Sequence, residues 1–431
     1  MGYRITALRA MEILDSRGRP TVDVRVEVDG GVSGHAGVPS GASRGTREAV
    51  ERRDGDAARY DGEGVHGVVA TVEDEIATAV VGPVWDSLHE LDAALCALDG
   101  TPTKERLGGN AVVGVSMAAA RAFARSDGQE LYRWLPQVAH PARLPVPHFN
   151  VVNGGLHAEN RLDFQEFMIA PLGAPTFAEA LRAGAEIYQR LKRRLQQLGF
   201  STNLGDEGGF APALQAPTDV LDLLVGAITA AGYETGPNGV MIALDPAASE
   251  FCQPDGSYRV NGTILDSAGL VDYLTVLVDH YPIWSIEDGL AEDDREGWEL
   301  LTDRLGARIQ LVGDDNLVTN PDSISEAIAH RRGTAALIKV NQVGTVTEAL
   351  EAVRRCHQGE FGAMVSHRSG ETTDTFIADL AVAAGCGQIK AGAPARGERV
   401  AKYNRLLTIE AQAPELPYGL VPRRRDGTDV S

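Results

Sequence analysis

The sequence predicts a (β/α) barrel preceded by a smaller α+β domain. Three observations carry that prediction. First, between Met241 and Lys390 an apolar run of about four residues ends six times in an ionisable side chain: Asp245, Glu287, Asp314, Lys339, His367 and Lys390. After a first interval of 42 residues these ends lie 23 to 28 apart, about the length of one strand, its return helix and two short loops. Second, the runs are continuously apolar, as strands buried on both faces must be. Third, residues 3–39 read as strands, of which 21–28 alternate with period two, and this marks a sheet with one face solvated or covered by helices. The chain has 431 residues, too many for one ordinary core, and two domains are expected.

In order, residues 4–14 form one strand, 21–28 a second, and Asp29-Gly30-Gly31 turns the chain into a third toward Val38. Helices are expected over 46–53, 68–81, 87–98 and 110–125. The α+β domain spans 1–135, and a segment with four prolines, 136–147, is the linker. The barrel domain occupies 148–431. It opens with apolar segments 146–152 and 164–170 and continues with helices over 176–198 and 217–231; helices over 346–355 and 374–384 lie between later strands.

Totals narrow the function. A formal charge of −20, from 60 acidic and 40 basic residues, argues against a nucleic-acid partner, which needs a basic face. The four cysteines are scattered without a C-x-x-C pair, as expected of reduced thiols in a cytoplasmic chain. No membrane partner is expected, because the longest apolar run, near Ala111, breaks at Arg121. Gly62-Glu63-Gly64-Val65-His66-Gly67 matches the dinucleotide pattern but lacks a preceding strand and a βαβ unit. Pro39-Ser40-Gly41-Ala42-Ser43-Arg44-Gly45 joins a strand to an expected helix with two hydroxyls and an arginine on a flexible backbone. It is either a plain surface loop or a mobile lid, over residues 39–45, that closes over an anion or metal.

Polar groups at the carboxyl ends of barrel strands converge on one face, where such folds keep their chemistry. Asp245, Glu287 and Asp314 would repel one another unless a cation sat among them, and all-oxygen ligation without Cys or His favours Mg²⁺. Lys339 stands next to that cation, which favours its neutral form, a competent base. His367-Arg368-Ser369 offers a guanidinium, a hydroxyl and a backbone N–H as a cradle for phosphate or carboxylate, and Lys390 adds a positive charge. Glu207, in Gly205-Asp206-Glu207-Gly208-Gly209, lies opposite with Glu166 and His157 and can supply an acid. Together these groups describe abstraction of a proton next to a carboxylate, with the metal stabilising the resulting dianion, followed by loss of a β-hydroxyl.

The chain resembles the enolase family over nearly its whole length. The resemblance rests on Glu12-Ile13-Leu14-Asp15-Ser16-Arg17-Gly18, Ser40-Gly41-Ala42-Ser43, Gln165-Glu166-Phe167-Met168-Ile169 and Gly205-Asp206-Glu207-Gly208-Gly209. It continues through Ser285-Ile286-Glu287-Asp288-Gly289, Val312-Gly313-Asp314-Asp315, Lys339-Val340-Asn341-Gln342 and Ser366-His367-Arg368-Ser369-Gly370-Glu371. It implies a modified (β/α)8 TIM-type barrel of the enolase type with an N-terminal α+β capping domain. By this resemblance Lys339 is the base and Glu207 the acid with Glu166 beside it, and Asp245, Glu287 and Asp314 hold the first of two Mg²⁺ ions. Ser43 meets the second Mg²⁺ together with the substrate phosphate. Arg368 and Ser369 hold the phosphate, and His157, Gln165, His367 and Lys390 line the pocket. The implied reaction is the glycolytic conversion of 2-phosphoglycerate to phosphoenolpyruvate, and the implied assembly is a homodimer or an octamer of dimers. Arg19 and Arg44 depart from the family pattern and add cations in or near the lid. They leave room for a specialised enolase-like enzyme of phosphonate or phosphinate biosynthesis, making a carboxyphosphonoenolpyruvate-type product, with Arg44 touching its substrate. A non-catalytic binding or structural role is the remaining alternative.

Overall fold

The computed structural model describes residues 2–42, 45–158 and 160–420. The N-terminal domain is a four-stranded sheet in the order β3-β2-β1-β4, formed by β1 (Tyr3–Leu14), β2 (Pro20–Val28), β3 (Val32–Gly37) and β4 (Val84–Trp85). Period-two alternation sends Val22, Val24, Val26 and Val28 to a dry face, and the helix Gly109–Ser126 covers it. That helix is rich in alanine because it lies close to the strands. A Cβ on Gly34 of β3 would stand 2.2 Å from the Ala118 carbonyl oxygen, so only glycine fits there.

The expected helix over 46–53 does not form; the segment makes turns and extended backbone. Its N–H groups find partners elsewhere: Ala49 donates to the Gln342 carbonyl at 2.7 Å and Val50 to Thr103 at 2.7 Å. Contacts with the barrel and with the rest of the capping domain thus satisfy donors that a helix would have used. The other three helices form close to the expected places, as His66–Thr71 running through a π-turn into Ala77–Val80, Leu88–Asp99 and Gly109–Ser126.

The second domain is a closed eight-stranded barrel. Its first three strands are β5 (Val146–Asn153), β6 (Glu166–Ala170) and β7 (Met241–Asp245). A small hairpin, β8 (Tyr258–Val260) and β9 (Thr263–Leu265), then lies outside the barrel. The remaining strands are β10 (Ile283–Glu287), β11 (Gln310–Gly313), β12 (Ala335–Ile338), β13 (Gly362–Ser366) and β14 (Gln388–Lys390). All six ionisable run-ends predicted from the sequence fall at or just past the ends of barrel strands. β5 starts at Val146, two residues inside the expected linker, because Val146, Pro147 and His148 pair with Gln388, Ile389 and Lys390 of β14.

One strand breaks the parallel pattern. β6 runs antiparallel to both β5 and β7, so two strands and then two helices, Phe177–Gln197 and Pro217–Ala230, precede the regular β/α alternation. The reversal brings Glu166, the first residue of β6, level with Asp245, the last of β7. A reversed strand therefore delivers its N-terminal carboxylate to the face where the others deliver their C-terminal ones. Lower in the barrel, Gln310 and Gln388 close the interior with a reciprocal amide pair of 2.9 and 3.0 Å.

Candidate active site

Each strand end places one charged group at the mouth. Lys390, on β14, is at the centre: its Nζ lies 3.0 Å from Glu166 Oε2, 3.1 Å from Asp245 Oδ2 and 2.9 Å from Glu287 Oε1. All four side chains are at most 5 % exposed. Lys339, just past β12, donates to Asp314 Oδ2. The two lysines thus neutralise the acids in separate groups. Glu166, Asp245 and Glu287 share the Lys390 ammonium, and Asp314 pairs with Lys339. The open space left among these groups is about 20 Å³, little more than one water-sized sphere.

Electrostatics follow from this arrangement. Burial holds the Glu287 carboxyl well above its ordinary pKa, and Asp245 and Asp314 push the same way against Lys390. Burial would also raise Asp314, but Lys339 outweighs it and keeps that carboxylate ionised. Lys339 differs from expectation. Burial lowers its pKa, yet Asp314 overrides that and raises it, so in the ion-free protein Lys339 is an ammonium and not a neutral base. The sequence argument assumed a neighbouring cation, whereas the nearest group here is an anion.

A second cluster stands opposite. Glu207 is reached by Asn150 Nδ2 at 3.0 Å and by His367 Nε2 at 3.1 Å. His157 Nδ1 lies 3.4 Å from Glu166 Oε1 and 3.8 Å from Glu207 Oε1. Arg399 donates to His367 Nδ1, so the imidazole proton belongs on Nε2, facing Glu207. Burial pushes His367 down to about 3, with Glu207 opposing and Arg399 assisting; the ring is neutral. Burial would raise Glu207, but His367 and His157 outweigh it and hold it well below the carboxylate range. Glu166 goes the other way, raised well above by burial and by the Glu207 charge. The two carboxyls are pushed in opposite directions, the pattern by which acid and base roles are told apart.

The anion cradle forms as well. Arg368 is 4 % exposed and Ser369 5 %. Ser369 Oγ accepts from the Ala42 N–H at 2.6 Å. Arg17, not Arg19, reaches this site from the capping domain: its Nη1 lies 3.4 Å from Ser369 Oγ, and its Nη2 pairs with Asp15 at 2.9 Å. Arg19 is exposed on the β1–β2 turn, because its backbone N–H, not its side chain, answers Asp15, at 3.0 Å. Gln165 is buried in the same cleft, and its Oε1 has no hydrogen-bond partner among the described residues. Ser43 and Arg44 lie outside the described residues.

These donors suit a hard divalent cation. Asp245, Glu287 and Asp314 are buried carboxylates, the first and last of which raise the cost of ionising Glu287, with no thiol at the site among the described residues. Among the described residues, ligand atoms of His157, Glu166 and Glu207 fall within 4.8 Å of one another, as do those of Asp288, Asp314 and Asp315. Asp288 has a structural task. Its two oxygens accept the N–H groups of Asp314 at 2.8 Å and Asp315 at 3.0 Å, bracketing the turn that presents Asp314.

Two family models match the chain, the enolase N-terminal domain over residues 5–135 and the enolase C-terminal TIM barrel domain over 141–418. The chain belongs to the enolase family. An enolase from Rubrobacter xylanophilus is 53 % identical over 431 residues, covering 98 % of this chain and 99 % of that protein. Enolases are hydro-lyases, and this chain is an enolase-like carbon–oxygen lyase whose acidic groups can hold the divalent metal the family implies. Among the described residues no helix is long and apolar enough to cross a membrane.

The sequence reading missed Arg17, Arg399, Asn150, Glu48 and Gln342 at this site. Arg17 and Gln342 sit inside motifs that carried the resemblance. Arg399 and Glu48 had no local signal, since they come from a helix and a turn far away in the chain.

Proposed function

We propose that the chain is a Mg²⁺-dependent phosphopyruvate hydratase that converts 2-phosphoglycerate to phosphoenolpyruvate and water in glycolysis. The observation that carries the reading is the facing of two groups across one cleft: Lys339 with the Asp245, Glu287 and Asp314 carboxylates on one side, and the Glu166–Glu207 pair on the other. Asp245, Glu287 and Asp314 would hold the ion, which when bound supplies positive charge to the substrate carboxylate as its α-proton leaves. Arg368 and Ser369 orient the phosphate, and Lys390 adds charge beside the carboxylate end.

Lys339 Nζ is the group that takes the α-proton, and it must first be released from its pair with Asp314. The opposed carboxyl pair delivers a proton to the leaving hydroxide. Glu207, held by His367 and Asn150, is the acid of the family resemblance, and beside it burial and the Glu207 charge raise the Glu166 pKa. His157 Nδ1 stands beside both carboxyls, 3.4 Å from Glu166 and 3.8 Å from Glu207. The partner is a small phosphorylated anion, the chain works in the cytoplasm, and it assembles as a homodimer or an octamer of dimers.

Purified protein with Mg²⁺ and 2-phosphoglycerate is expected to generate the ultraviolet absorbance of phosphoenolpyruvate. Lys339→Ala is expected to lower kcat by at least roughly 10³-fold, the scale of a lost general base. Wild-type turnover no faster than that variant would overturn the reading.

A further inference from the structure

The turn that replaces the expected helix over 46–53 carries Glu48 into the anion site. Glu48 Oε2 accepts from Arg368 Nη1 at 2.8 Å, and Glu48 Oε1 accepts from Arg368 Nη2 at 3.2 Å. The side chains are 8 % and 4 % exposed. The same Glu48 Oε1 accepts the Gly45 N–H at 2.9 Å, at the edge of the lid segment. It also accepts from Gln342 Nε2 at 3.3 Å, and Gln342 donates to Asp314 Oδ1 at 2.9 Å. Gln342 Oε1 in turn accepts from Thr319 Oγ1 at 2.7 Å, and that hydroxyl accepts the Lys339 N–H at 2.9 Å. One carboxylate therefore touches the lid, the phosphate-facing arginine and, through one amide, the residues that hold Asp314 and Lys339.

We propose that Glu48 is the counter-ion of Arg368, which lowers the positive charge offered to the substrate phosphate and links the Gly45 backbone to the metal and base residues through Gln342. The inference rests on the reading of Arg368 as an anion-holding residue. Two consequences oppose each other. A guanidinium paired with a buried carboxylate attracts a phosphate less strongly than an unpaired one, since the incoming anion must share it. The same pair fixes the guanidinium fork and ties the lid edge to Asp314, which helps the chemical step. Glu48 is thus a positioning residue, and its removal should move binding and turnover in opposite directions.

The test uses Glu48→Gln, which is isosteric and can still accept the Gly45 N–H, in the full chain with saturating Mg²⁺. Inorganic phosphate affinity is measured by calorimetry, and kcat and KM for 2-phosphoglycerate by absorbance. Glu48→Gln is expected to bind phosphate more tightly, by on the order of ten-fold, while kcat falls. Gln342→Leu, which cuts the bridge and leaves the ion pair, is expected to keep wild-type phosphate affinity and lose kcat. Unchanged or weaker phosphate binding in Glu48→Gln would overturn the proposal, as would tighter binding in Gln342→Leu. Wild type is assayed alongside. Its failure to turn over 2-phosphoglycerate would defeat the functional reading alone, leaving the comparison of phosphate affinities to judge Glu48.

Discussion

Lys390 is the ammonium that touches three carboxylates at once. Its Nζ lies within 3.1 Å of Glu166, Asp245 and Glu287, all buried. Burial lowers the lysine's pKa, but the three acids and Glu207 raise it well above the ordinary value, so the charge persists at any working pH. Lys390→Met keeps the stem and removes the charge, which leaves the acids to repel one another. The expected cost is about 3–5 kcal/mol at pH 7, the scale of breaking a buried pair from one side. Mg²⁺ should recover part of it, because the ion takes over the missing charge. Urea unfolding with and without Mg²⁺ measures both. A loss below about 1 kcal/mol, or no Mg²⁺ effect, would sink the argument. This residue also shows what a sequence can tell about a site. The strand-end rule placed Lys390 and the acids on one face, because side-chain identity and strand spacing are both local. Which lysine would pair with which acid was not legible, since that depends on distances across the barrel mouth.

At the scale of elements, the two domains are joined helix to helix. Asp92, on Leu88–Asp99, accepts both the N–H and the hydroxyl of Thr347, at 3.0 and 2.6 Å, at the start of the helix Val346–Gln358. Burial pushes Asp92 up to about 6 from 3.8. The folded state therefore keeps a proton that the unfolded chain releases earlier. This contribution to stability is fully present below about pH 4 and is lost as pH rises to about 6, a change of about 3 kcal/mol. Asp92→Asn cannot titrate. Between pH 4 and 6.5 the stability difference between variant and wild type is expected to move by about that amount, in favour of the variant at the higher pH. Parallel profiles would show that Asp92 is ionised when folded. Elements whose signal is local were legible: the β2 alternation, the six barrel strands β7 and β10 to β14, and the long amphipathic helices. The reversal of β6 was not, because a buried antiparallel strand and a buried parallel one are equally apolar. The turn at 46–53 was misjudged because its backbone partners, Gln342 and Thr103, are remote in the chain.

Over the whole molecule, buried or half-buried polar pairs cross between the domains at several points. Arg121 binds Asp374 with both Nη atoms, Lys104 meets Glu348 at 2.6 Å, and Arg368 meets Glu48 at 2.8 Å. Each pair is costly to break from one side, so separating the domains would strand several charges at once. The domains should then unfold together, and an ion bound only to barrel carboxylates should protect the capping domain equally. The four tryptophans allow a direct check, since Trp85 and Trp134 lie in the capping domain and Trp284 and Trp298 in the barrel. Variants retaining one pair report one domain each. At a Mg²⁺ concentration about 100 times its Kd, both are expected to gain about 2.7 kcal/mol of apparent stability over chelator-treated protein. Their urea transitions should coincide with and without the ion. If only the barrel pair shifts, the interdomain contacts do not transmit the stabilisation, and the two domains are independent units sharing a cleft.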